Sequence, residues 1–163
     1  MKHDKDLIQL LYNECCDIWK NFCEYHNELY QLACQEYTLL LNSQIEDLEE
    51  CIKIKEALII KIGDEDSRRF HFIQSINSKF PETQIEKARD LIDFFETQIG
   101  DNLLSRYNNL LIDVIENIKV QNKRNKIFLN KALYSLNQLK RDFHGKPSVE
   151  TYDKTGQRHS VVK

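Results

Sequence analysis

From Leu7 onward the apolar residues of this chain recur four and three apart: Leu7, Leu11, Cys15, Ile18, Phe22, Tyr25, Leu29 and Leu32. That rhythm is the seam of a coiled coil, and it leaves few folds open. A second stripe of Trp19, Cys23, His26, Tyr30 and Tyr37 widens the apolar face beyond a two-helix seam. The spacing predicts one helix over residues 4–41, about 55 Å long at 1.5 Å per residue. Four glycines and two prolines in 163 residues leave little to break such helices. With Leu, Ile, Glu, Lys, Gln and Asn abundant, the composition excludes a turn-rich sheet protein.

The remaining elements follow from periodicity and punctuation. Ser43-Gln44-Ile45-Glu46 has the spacing of a capping box, which would open a second helix over 44–79. Its apolar face is Ile45, Leu48, Ile52, Ile59, Ile62, Phe70, Ile73 and Ile76. The phase is unchanged across Gly63, so the helix is expected to run through it at a cost of about 1 kcal/mol relative to Ala. Phe80-Pro81 ends this element, because proline disfavours helical geometry in the residue before it. A short helix over 83–99 should follow and stop at Gly100, a residue suited to the left-handed cap. The last helix, over 102–143, uses Tyr107, Leu111, Val114, Ile118, Phe128, Leu129, Ala132, Leu136, Leu139 and Phe143. The expected fold is all-α: an elongated antiparallel bundle or coiled coil of three long helices and one short one. Residues 1–144 form the bundle, and 145–163, which lack periodicity, form a flexible, disordered tail.

Function classes fall away one by one. A net charge of −3 is too mild to make nucleic acid or an anionic membrane the main partner. The basic cluster Lys119, Lys123, Arg124, Lys126 and Lys131 lacks interleaved aromatics and reads as the solvated face of the last helix. The chain opens without a secretory signal pattern, and no apolar run approaches the roughly 18 residues of a membrane span. A cytosolic protein is expected, with no membrane insertion and its five cysteines reduced. Phosphate-binding glycine loops and a nucleophile elbow are missing. A di-iron bundle would need Glu three residues before His, and no His here has it. Cys23-x-x-His26, with Cys16 and Cys34 near the same stripe, is the one metal-like pattern. A straight stripe cannot close four ligands around one ion, so these residues read as core. No cofactor, metal or catalytic residue is expected; the chain is not read as an enzyme.

The last helix holds the sharper signal. At 100° per residue Asn125 falls near the centre of its apolar stripe, in line with Tyr107 and Phe143, with Asn122 at its flank. A polar side chain in a seam sacrifices stability, and its best-attested use is to fix register or partner. Asn125 either pairs with a polar group inside the protein or meets a partner directly. Beyond Gly145 and Pro147, Tyr152 is an aromatic isolated in a polar tail.

Three segments, in this order, resemble the FlgN-type flagellar type III export chaperones. They are Lys55-Glu56-Ala57-Leu58-Ile59 followed by Ile62, Asp66 and Arg69; Asn122-x-x-Asn125 with Phe128-Leu129 and Leu133; and Tyr152-x-x-x-Gly156-Gln157. The likeness covers residues 7–160. Asp153 departs from it, standing where the family often has Gly, and the Cys-rich first helix and substantial third helix are not explained by it. The resemblance implies a bacterial cytoplasmic chaperone without chemistry. Such a protein binds the C-terminal helical segments of the two hook–filament junction (hook-associated) proteins, prevents their premature assembly and delivers them to the export gate. It places substrate binding on Asn122, Asn125, Phe128, Leu129, Leu133, Leu136 and Leu139. Docking on the cytosolic domain of the gate falls to Tyr152 and Gly156. Without the resemblance, the alternative is a structural coiled-coil tether or oligomerisation protein.

Overall fold

Where α1 (Lys2–Leu41) ends, Ser43 takes φ 53° and turns the chain back. The Gln44 amide donates to the Leu39 carbonyl at 3.1 Å and the Ser43 amide to Leu40 at 3.3 Å. This is a Schellman closure with serine in the left-handed position usually given to glycine. Ser43 is therefore consumed in ending α1, and the capping box expected with Glu46 does not form. Gln44 stands at the N-cap of α2 (Ile45–Lys79) without a side-chain cap bond. Glu46 and Asp47 lie in the first turn, where the helix dipole favours carboxylates.

The structure is a computed structural model that describes residues 2–144, 151–152 and 158–159, with side chains from residue 5 to residue 144. It is all-α in its bundle, with α3 (Ala88–Ile99) and α4 (Leu103–His144) completing the helices. Two short strands, β1 (Thr151–Tyr152) and β2 (Arg158–His159), pair antiparallel with Thr151 opposite His159 and Tyr152 opposite Arg158. The chain divides into two units, residues 1–125 and 126–163.

Within the first unit α1 and α2 form an antiparallel hairpin. Hydrogen bonds cross between the two helices both near the turn and far from it. Lys55 bonds Glu36, the Cys51 thiol donates to the Leu32 carbonyl at 3.6 Å, and Asn21 donates to Glu65 at 3.3 Å. Helix α2 runs unbroken through Gly63, where a Cβ would meet nothing within 4 Å. Up to Asn125, α4 runs alongside α1 in the same direction. Tyr12 reaches Asp101, Trp19 reaches Asn108, and Ala33 lies against Asn125.

The third helix starts later than periodicity predicts, at Ala88 rather than residue 83. The Asn77 side chain explains it. Its amide donates to the Ile85 carbonyl and its oxygen accepts from the Ile85 amide, both at 2.9 Å. That pair of hydrogen bonds holds Ile85 out of helical geometry and inside the core, at 3% exposure. Asp90 then accepts from the Lys87 amide at 2.8 Å and opens α3. Gly100, at φ 76°, closes it with its amide on Glu96 at 2.8 Å. The Glu96 and Asp101 carboxylates accept from the Ser105 and Leu103 amides at the start of α4.

The main core gathers Leu11, Tyr12, Cys15, Ile18, Trp19 and Phe22 of α1 with Phe72 and Ile76 of α2, Leu91, Ile92 and Phe95 of α3, and Leu104 of α4. Phe95 is its hub. It is fully buried and touches the rings of Tyr12, Phe72 and Phe94 at centroid distances of 5.9, 6.3 and 5.1 Å. A thinner cluster of Leu32, Leu39, Cys51 and Leu58 holds the turn end of the hairpin.

Candidate functional site

From residue 126 to residue 144 helix α4 is exposed nearly throughout; only Phe128 and Gln138 are half-buried. The leucines at 129, 133, 136 and 139 stand 44%, 50%, 50% and 55% exposed, and Phe143 stands 77% exposed. A helix places residues three and four apart on one side, so these five side chains make one continuous apolar row. Scattered surface leucines need no explanation, but a row of this length on one helix face is apolar surface left uncovered by the protein's own described residues.

Asn125 lies differently, inside the first unit at 4% exposure. Its amide donates to the Ala33 carbonyl at 2.9 Å, and its oxygen accepts from Gln121 at 2.8 Å. Ala33 is fully buried, and its short side chain lets α4 come close enough for a side chain to reach the α1 backbone. Of the two roles open to Asn125, its polar groups serve the internal pairing. Asn122, one turn earlier, is exposed. We expect Asn125→Ala to lower stability by about 1–3 kcal/mol, because Gln121 loses its buried acceptor and Ala33 its donor. Chemical denaturation checks this; an unchanged midpoint would show that water takes over both bonds.

The second-helix motif meets the first helix around a cleft of about 250 Å³. Ile62, Trp19, Phe22 and Leu111 line it, and Asp66 and Arg69 pair at its rim at 2.8 Å. The apolar rhythm pointed to Trp19 and Phe22 as core but gave no sign that they border an open space. Tyr152 belongs to β1, opposite Arg158. Gly156 lies outside the described residues.

The residues of the metal-like pattern are engaged elsewhere. The Cys23 thiol donates to the Tyr107 carbonyl at 3.3 Å, and His26 Nδ1 bonds the Phe22 carbonyl at 2.7 Å. Burial pushes the Cys15, Cys16, Cys23 and Cys51 thiols above their ordinary pKa, away from the thiolate that metals and electrophiles need. Among the described residues no three His, Cys, Asp or Glu side chains are grouped to share a metal ion. None of the described helices is long and apolar enough to cross a membrane.

The decisive observation is the match to a family model. The model described as FlgN protein covers residues 1–160 of the 163. The chain belongs to the FlgN family. The match takes in the helices, the exposed row on α4 and the paired segments 151–152 and 158–159. FlgN proteins are flagellar export chaperones, and theirs is not an enzyme family. Comparison with curated proteins and with solved structures gave no match.

Proposed function

We propose that this FlgN-family protein binds the C-terminal helical segments of hook–filament junction (hook-associated) proteins, in the bacterial cytoplasm. It keeps them from assembling early and delivers them to the type III export gate. The observation that carries the reading is the exposed row Leu129, Leu133, Leu136, Leu139 and Phe143 on a helix of a chaperone-family chain. An amphipathic helix of a client covers such a row with its own anchors at i, i+3, i+4 and i+7. Phe128 borders the row, and Asn122, two turns ahead of it, is exposed on the same helix. Asn125 supports the site indirectly by fixing the register of α4 on α1 at residue 125.

Gate docking falls to the tail, with Tyr152 as the anchor and Gly156 beside it. An aromatic supplies a large contact area at low ordering cost, which makes it a common hot spot. Tyr152→Ala should therefore leave client affinity unchanged and weaken binding to the cytosolic domain of the export gate by tenfold or more (about 1.4 kcal/mol). Two titrations of the variant, one with each partner, test this. An equal loss in both would remove the division of labour.

A structural tether is the second reading, favoured by Ile45, Ile52 and Ile59. These stand seven apart on α2 and are 60%, 39% and 52% exposed, as a self-pairing seam would be. A stable homodimer in light scattering that ignores client segments would favour it.

A further inference from the structure

The charges beside the leucine row say what its partner should carry. Between residues 126 and 144 the lysines and arginine are Lys126, Lys131, Lys140 and Arg141, and the one carboxylate is Asp142. At 100° per residue, Leu133, Leu129, Leu136, Phe143 and Leu139 span an arc of about 120°. Lys126, Asn130, Asn137 and Arg141 lie along the Leu133 edge of that arc, about 20° to 80° beyond it, and Lys140 lies within it. Asp142 sits on the far side, about 180° from Leu133. One edge of the row is therefore cationic or amide along its whole length. None of these four cations has an ion-pair partner among the described residues, whereas Lys119, two turns earlier, is paired with Glu116 at 3.7 Å.

We infer that this surface takes an amphipathic helix whose apolar face is bordered on one side by Asp and Glu, placed to run along Lys126, Lys140 and Arg141. The inference rests on the chaperone reading and adds the charge of the client to it. Complementary charge across a helix pair sets orientation and partner choice more than raw affinity. The apolar row supplies the burial, and the cationic edge decides which way round the client lies. A flat anionic membrane fits less well. Ile127 and Tyr134 are also exposed, at 46% and 66%, on the side of the helix about 170° from the row's centre. A plane that covered the leucines would leave them in water, and the chain's net charge of −3 opposes its approach.

The test uses the full chain, the C-terminal segments of the junction proteins from the same organism, and vesicles of phosphatidylglycerol. Segment affinity should fall about tenfold between about 50 mM and about 300 mM salt. Lys126→Glu with Arg141→Glu should cause a similar loss at low salt and abolish the salt dependence, while Lys126→Arg with Arg141→Lys binds as the native chain does. Segments bound with equal affinity at both salt concentrations, and equally by the charge-reversed variant, would overturn the charge assignment and leave the chaperone reading standing. Failure of the segments to bind at any salt would remove both. Binding to vesicles in place of segments would assign the cationic edge to lipid and overturn the inference.

Discussion

Phe95→Ala should destabilise the first unit by about 3–5 kcal/mol, at the upper end for a single truncation. Phe95 is fully buried, and its ring touches one aromatic on each of α1 and α2 and another on its own helix. Removing it opens a cavity where α3 closes the bundle, and the helices around it cannot collapse to fill the space without breaking the bonds at their ends. Those bonds are Tyr12 to Asp101, 2.9 Å long, and the Asn77 clasp on Ile85. A domain of this size has only about 5–15 kcal/mol of net stability, so the loss should be visible as a large drop in the denaturation midpoint. Phe143→Ala, at 77% exposure, is the control and should leave the midpoint unmoved. Equal effects from the two would contradict the placement of the core.

Leu129→Asp with Leu133→Asp should do the opposite, leaving the fold intact while removing client binding. Both side chains are about half exposed, so their replacement takes little from the core. Burying the exposed half of a leucine under a client is worth about 0.8–1.5 kcal/mol, and two of them together account for about tenfold to a hundredfold in affinity. The aspartates would add a cost of their own, since each would be desolvated without a partner. Circular dichroism and titration separate the cases. Unchanged helicity with lost binding places the leucines on the contact surface, whereas collapse of helicity would place them in the core.

These two variants also mark how far the sequence could be read. The four-and-three rhythm of α1 and the constant phase across Gly63 specify the hairpin, because a buried stripe and an unbroken helix both leave a local trace. Gly100 does so too. What escaped the reading depends on distant partners. Ile85 is held outside α3 by a side chain eight residues away. Ser43 looks like a cap until the backbone bonds of Leu39 and Leu40 claim it. Asn125 is recognisable as a polar residue in an apolar seam, but its acceptor, Ala33, lies 92 residues earlier. Most consequential is α4 itself. Its apolar period is the same before and after residue 125, yet Ile118 is buried and Leu133 is half exposed. Periodicity reports that a face is apolar; it does not report what covers it. The family likeness motivates the function proposed for that face, and geometry alone would have left it an uncovered row.

Calorimetric titration of the intact chain with the C-terminal segments of junction proteins shows whether this row binds them. The expected result is a one-to-one complex of micromolar affinity or tighter, lost when residues 120–163 are deleted. The absence of heat on titration, together with a stable homodimer in light scattering, would contradict it and assign the exposed apolar rows to self-association.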